Sequence, residues 1–212
     1  MTILQISPHD MAAKLAARLC HDLIGPAGGL NQALDLLQDP TAQDLHQDAM
    51  ALIIQSGRDL IAKLAFARLA LGSGDRSYAA TELEALIGDL YRGQRAQLIW
   101  SVTEQTLRGV AARTLLNFSQ MALACLPYGG AAHVITERSG AEILLVVTAK
   151  SPRVRPQMEV MSGLAGEPPG DGPPGQWVQA AFVCAAVTTA GGRLTMSASD
   201  GEICFSAYIP TL

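Results

Sequence analysis

Leucines at positions 15, 19, 23, 30, 34 and 37 recur at spacings of three, four and seven, which places them on one face of a helix. Ahead of them, Ser7-Pro8-His9-Asp10 has the residues of a helix start: a hydroxyl that can cap, a proline in the first turn and an acid beside it. The pattern ends near "QDP" at 38–40. Thr41-Ala42-Gln43-Asp44 opens a second helix in the same way. Its stripe runs Leu45, Leu52, Ile53, Ser56, Leu60, Leu64, Ala67 and Leu71 and stops at "GSG", 72–74. Two helices of similar length across a short proline turn predict an antiparallel hairpin. A lone hairpin buries one face poorly, whereas two of them, from two chains, make a four-helix bundle.

Beyond residue 74 the period changes. Thr81-Glu82-Leu83-Glu84 reads as a capping box leading into a short helix to about residue 92. "QLIWSV" (97–102) reads as a strand and "VAARTLLNFSQMALACL" (110–126) as a buried helix. "HVITER" (133–138) and "AEILLVVTA" (141–149) form a hairpin about Ser139-Gly140. "GLAGEPPGDGPPGQ" (163–176) is a proline- and glycine-rich loop. A helix over about 177–190 follows, then the turn Gly191-Gly192 and the strands "RLTMSAS" and "EICFSAYIP" about Asp200-Gly201. The fold class is therefore α+β: a helical hairpin over 1–74 followed by an α/β sandwich over 75–212.

Composition supports a packed core. Of 212 residues, 49% are hydrophobic and 16% charged, and only 5% are aromatic, so Ala, Leu, Val and Ile must fill it. A mean hydropathy of +0.23 points to apolar surface that meets a partner subunit. The net charge of −4 argues against nucleic acid as a partner. The longest clean apolar run, "ILLVVTA", is far too short to cross a membrane. Cys20, Cys125, Cys184 and Cys204 are scattered with no C-x-x-C pair, which favours reduced core thiols over zinc or disulfides. With no secretion signal at "MTILQISPHDM", the expected compartment is the cytoplasm.

One stretch looks chemical. In "ARLCHDLIGP" (17–26), His21 lies off the leucine stripe, on a helix face shared with Ala17, Gly25 and Gly28. These small residues let another protein's backbone approach the imidazole. A largely neutral imidazole is a ready nucleophile, and the neighbouring Asp22 can fix its tautomer and orientation. Arg18, one turn earlier, can offset phosphoryl charge. Pro26 has no N–H, so it frees the carbonyl of Asp22 and bends the helix beside the histidine.

"H-D-L-I-G-P" resembles the H-E/D-L-x-x-P box of sensor histidine kinases, whose phospho-accepting histidine sits on a dimerising helical hairpin. The second half resembles the ATP-binding sandwich of those kinases, most clearly over "GQWVQAAFVCAAVTTAGGRLTMSASDGEICFSAYIP". Its nucleotide boxes are altered. "LLNFSQMALA" keeps Asn117 but has Met121 where the kinase pattern has its Mg²⁺-binding Asn. "AKSPRV" lacks the Asp and glycines of the adenine box, and "GQWVQAA" puts Trp177 and Val178 in place of the phosphate-cradling glycines. A histidine hairpin joined to such a domain resembles the ChpT-type histidine phosphotransferases of alphaproteobacteria, over nearly the whole chain.

That resemblance implies a homodimeric relay working between the receiver domain of a hybrid histidine kinase and response regulators of the cell cycle. His21 would be the phospho-acceptor and Asp22 its acidic neighbour, with Arg18, Ile24, Gly25 and Gly28 on the docking surface. No cofactor would be bound: ATP would not be used, and Mg²⁺ would come with the receiver. Phosphatase-active kinases carry Thr or Asn where Gly25 stands, so water-driven dephosphorylation of a receiver should be weak. Two other readings are an ATP-dependent histidine kinase and a non-enzymatic dimeric adaptor that inhibits a kinase.

Overall fold

Two long helices, α1 (Pro8–Gln38) and α2 (His46–Ala70), form the hairpin. The computed structural model describes residues 6–168 and 175–211. At the start of α1, the Ser7 hydroxyl accepts from the Asp10 amide at 3.0 Å, and Pro8 fills the first turn. The start of α2 differs from the expectation. Thr41 donates its amide and hydroxyl to Asp39 Oδ1 at 2.8 and 2.6 Å, which holds it in the connecting turn. A 3₁₀ turn, Gln43–Leu45, then leads into α2 without a side-chain cap.

The rods pack through small residues. Ala33, Ala49 and Ser56 are buried, and a Cβ on Gly29 would stand 2.6 Å from Ser56 Oγ. Stripe residues Leu34, Leu45, Leu52 and Leu64 stay exposed, because the hairpin has no third layer to cover them.

The second unit is built from β1 (Ser77–Ala79), α3 (Ala80–Tyr91), β2 (Ala96–Ser101), β3 (Thr106–Arg108), α4 (Gly109–Ala124), β4 (Gly130–Ser139), β5 (Glu142–Lys150), α5 (Met158–Leu164), α6 (Gly175–Thr189), β6 (Arg193–Ser199) and β7 (Glu202–Pro210). The main sheet has the order β2-β4-β5-β7-β6, with β2 parallel to β4 and every other pair antiparallel. Inward residues of β4, β5 and β7 alternate with half-exposed ones, as in a sheet covered on one face. Leu83, Ile87, Leu115, Leu116, Val134, Leu145 and Ile203 fill the core, with Phe118 and Phe205 in ring contact at 5.6 Å.

Three further features depart from the sequence reading. No capping box forms at Thr81: α3 begins one residue earlier, and the Ala80 amide donates to the Gln105 carbonyl as the β1–β3 ribbon runs into the helix. Part of the expected loop is helix α5, where Gly163 lets it approach α6 so closely that a Cβ would meet that of Ala180 at 2.7 Å. The rest of that loop, 169–174, lies outside the described residues, as do residues 1–5 of the N-terminal stretch. Finally, Cys125 is a buried thiol, but Cys20 is exposed beside His21.

The two units meet along two seams. Phe66, Leu69 and Ala70 at the end of α2 join the sandwich core. Trp177, Val178 and Ala181 at the start of α6 pack against Ile6, Met11 and Leu15 of the α1 side. The site lies between these seams.

Candidate functional site

The middle of α1 carries His21 with 86% of its side chain exposed. Its Nδ1 faces Asp22 Oδ1 at 3.4 Å. This leaves Nε2 on the outer side of the ring, where a neutral imidazole oriented by a carboxylate has its free lone pair. Asp22 is in turn held through Oδ2, 3.5 Å from Arg18 Nε one turn back. Along the same face Ala17 is exposed, and a Cβ at Gly25 or Gly28 would have no neighbour within 4 Å. Ile24 stands 71% exposed beside them. The surface around the imidazole is thus flat, small and apolar at one edge, as a docking helix requires. Position 25 offers no side chain to orient a water.

Arg18 does not face outward with the others. Its side chain is 15% exposed and Nη1 donates to the Gly175 carbonyl at 2.5 Å, tying α1 to the start of α6. Burial presses the guanidinium below its ordinary value, against the pull of Asp22 and Glu159. Arg18 therefore links His21's acidic neighbour to the sandwich.

The sequence reading missed Lys63. From α2 its Nζ donates to the Asp22 carbonyl at 2.9 Å, the carbonyl whose helical donor would have come from residue 26, a proline. The clue was in Pro26, but naming the substitute donor needs the register of the two rods. Lys63, Arg18 and Asp22 line a cavity of about 160 Å³ with Leu23, Phe66 and Gln179, between hairpin and sandwich.

Residues that the sequence resemblance aligned with kinase nucleotide boxes are engaged inside the protein. Asn117 is fully buried; its Nδ2 donates to the carbonyls of Ala70 and Arg113 at 2.9 and 2.7 Å, and its Oδ1 accepts from Gln179 Nε2 at 2.8 Å. Met121 is core. Trp177 and Val178 are buried under α1, with the indole Nε1 donating to the Glu167 carbonyl at 2.9 Å. Among the described residues no three His, Cys, Asp or Glu side chains gather as metal ligands, and no helix is long and apolar enough to cross a membrane.

Comparison with known proteins identifies the family and the fold. Residues 80–202 match the family described as histidine phosphotransferase C-terminal domain. The chain is similar to protein phosphotransferase ChpT of Brucella abortus (strain 2308), with 33% identity over 215 residues that cover 95% of this chain and 97% of that protein. A bacterial phosphotransferase solved at 1.7 Å matches with a TM-score of 0.85 and 28% identity, over 97% of this chain and all of that one. The nucleotide-free catalytic domain of histidine kinase ThkA shares the fold at a TM-score of 0.52 and 13% identity, across 66% of this chain and 97% of that domain.

Proposed function

The chain belongs to the histidine phosphotransferase family, and from that premise we propose that His21 carries the phosphoryl group in transit. The donor is the phospho-aspartate of a receiver domain of a hybrid histidine kinase; the acceptors are response regulators. The observation that carries this reading is the exposed imidazole whose Nδ1 is turned to Asp22.

On this reading Nε2 attacks phosphorus, a P–N bond forms as the acyl P–O bond breaks, and the receiver's carboxylate leaves. Asp22 holds Nδ1–H and stabilises the positive charge that the ring gains. Transfer onward reverses the steps. The chain supplies a placed nucleophile, and the rate gain comes from orientation. Mg²⁺ belongs to the receiver, and ATP is not a substrate, since Asn117 and the start of α6 serve as internal contacts.

Docking falls on Ile24, Gly25 and Gly28 around His21, while the apolar residues exposed elsewhere on the hairpin join two copies into a four-helix bundle. We place the reaction in the cytoplasm. Incubation with a ³²P-labelled receiver domain tests the reading. Acid-labile, base-stable label on the wild type, none on His21→Ala and none from ATP alone is the expected outcome. Label that survives in His21→Ala would move the acceptor elsewhere, and a chain that binds the receiver without taking label would be an adaptor.

A further inference from the structure

Pro26 takes away the amide that would bond the Asp22 carbonyl along α1, one residue from His21. In a kinked helix such a carbonyl ordinarily turns to water, and the bend is then free to vary. Here it accepts from Lys63 Nζ at 2.9 Å. The ammonium comes from the other rod, so the contact fixes the Asp22 peptide relative to α2 as well as along α1. Among the described residues, Asp22 is the sole carboxylate lining the cavity that Lys63 enters. Its oxygens face Arg18 and His21, so Lys63 reaches Asp22 through the main chain. A charged donor in a part-buried place holds a carbonyl more firmly than a neutral one.

Resting on the relay reading above, we propose that Lys63 is a positioning residue for transfer through His21. It replaces the hydrogen bond that Pro26 denies to Asp22, and so sets the segment of backbone that carries the imidazole. Asp22 is held at three points: its carbonyl by Lys63, its Oδ2 by Arg18, and its Oδ1 at His21 Nδ1. Lys63 comes from α2, and Arg18, although on α1, is itself anchored to the start of α6. The hairpin and the sandwich therefore both fix the direction of Nε2. Transfer between two proteins needs the attacking nitrogen aligned with phosphorus within a fraction of an ångström, so a loosened peptide lowers the rate of the chemical step more than the affinity for the partner.

The test follows from the geometry, because Pro26→Ala restores a main-chain N–H to the Asp22 carbonyl and makes Lys63 redundant. The full chain is mixed with receiver domains of hybrid histidine kinases carrying ³²P, and single-turnover transfer is followed as receiver concentration is raised. Lys63→Met is expected to lower the maximal rate about tenfold while the half-saturating concentration stays within about twofold. Lys63→Arg keeps a donor and should stay within about threefold of the wild type. In the Pro26→Ala background, Lys63→Met should change the rate by less than about threefold, a rescue that neither lost packing nor lost charge would show.

Equal loss in both backgrounds, no loss in either, or a shift in half-saturation alone would overturn the inference. If Lys63→Met does not fold, two comparisons decide instead: Lys63→Arg with the wild type, and the double variant with Pro26→Ala. A wild-type chain that takes no label on His21 would sink the relay reading itself, whereas a labelled wild type matched by Lys63→Met would sink the role of Lys63 alone.

Discussion

Cys125 closes the end of α4 in the core, its carbonyl accepting from the Arg155 amide at 2.9 Å. Burial pushes its thiol up to about 11 from an ordinary 9.0. The folded state thus keeps its proton where the unfolded chain has lost it. Stability from this group is intact below about pH 9 and is lost as pH rises toward 11. Between pH 8 and 10 the loss should be on the order of 1 kcal/mol. Denaturation midpoints at the two pH values should separate in the wild type and draw together in Cys125→Ala; equal separation in both would show that the thiol does not carry the effect. Tyr91, whose phenol is also raised by burial and donates to the Ser119 carbonyl at 2.8 Å, adds its own loss only at higher pH. At this scale His21 and Asp22 were legible because the pair is contiguous in sequence. Lys63 was not, since its partner is a main-chain oxygen 41 residues away.

Among the elements, long helices and glycine-turned hairpins were readable and short pieces were not. Gly140 and Gly201 take positive φ of 61° and 75° at the predicted hairpin turns, a conformation that glycine adopts freely. The β1 and β3 strands have three residues each, too few to show a period; they pair antiparallel, Ser77 opposite Arg108 and Ala79 opposite Thr106, partners far apart in sequence. Helix α2 misled differently, because it has two apolar faces. Besides the stripe read from the sequence, Met50, Ile54 and Ile61 recur at spacings of four and seven, with Leu64 of that stripe three residues further on, and all four are exposed in the single chain. In the dimer proposed above, this face would be the seam of a coiled-coil-like contact with a second hairpin. Ile61, 69% exposed, contributes nothing to the folded monomer's interior. By symmetry Ile61→Glu removes two apolar contacts and adds two charges, which should weaken dimerisation by at least about 100-fold while helix content is kept. Sedimentation of the variant at the wild-type dimer mass would show that this face is not the interface.

For the molecule as a whole, the start of α6 holds the two units together. In a nucleotide-binding domain that segment must stay concave, with backbone amides open to phosphate. Here Trp177 and Val178 fill the space and pack with Ile6, Met11 and Leu15, and the Gly175 carbonyl accepts from Arg18. The resemblance to kinases implied that glycines had been replaced here but could not show what the replacing side chains touch. Only the fold reveals that the replacing side chains bury the first turns of α1, eleven to fifteen residues into the chain. Trp177→Ala should therefore cost about 3–5 kcal/mol, a fall of roughly 10 °C in Tm for a chain of this size. Its effect should also be local. Amide exchange should rise first in α1 between Pro8 and Arg18, while the crossing of Gly29 and Ser56, which rests on the other rod, stays protected. Exchange that rises evenly through the sandwich, with α1 unchanged, would mean that Trp177 is an ordinary core residue. It would also mean that the hairpin is held by the Phe66–Ala70 seam alone.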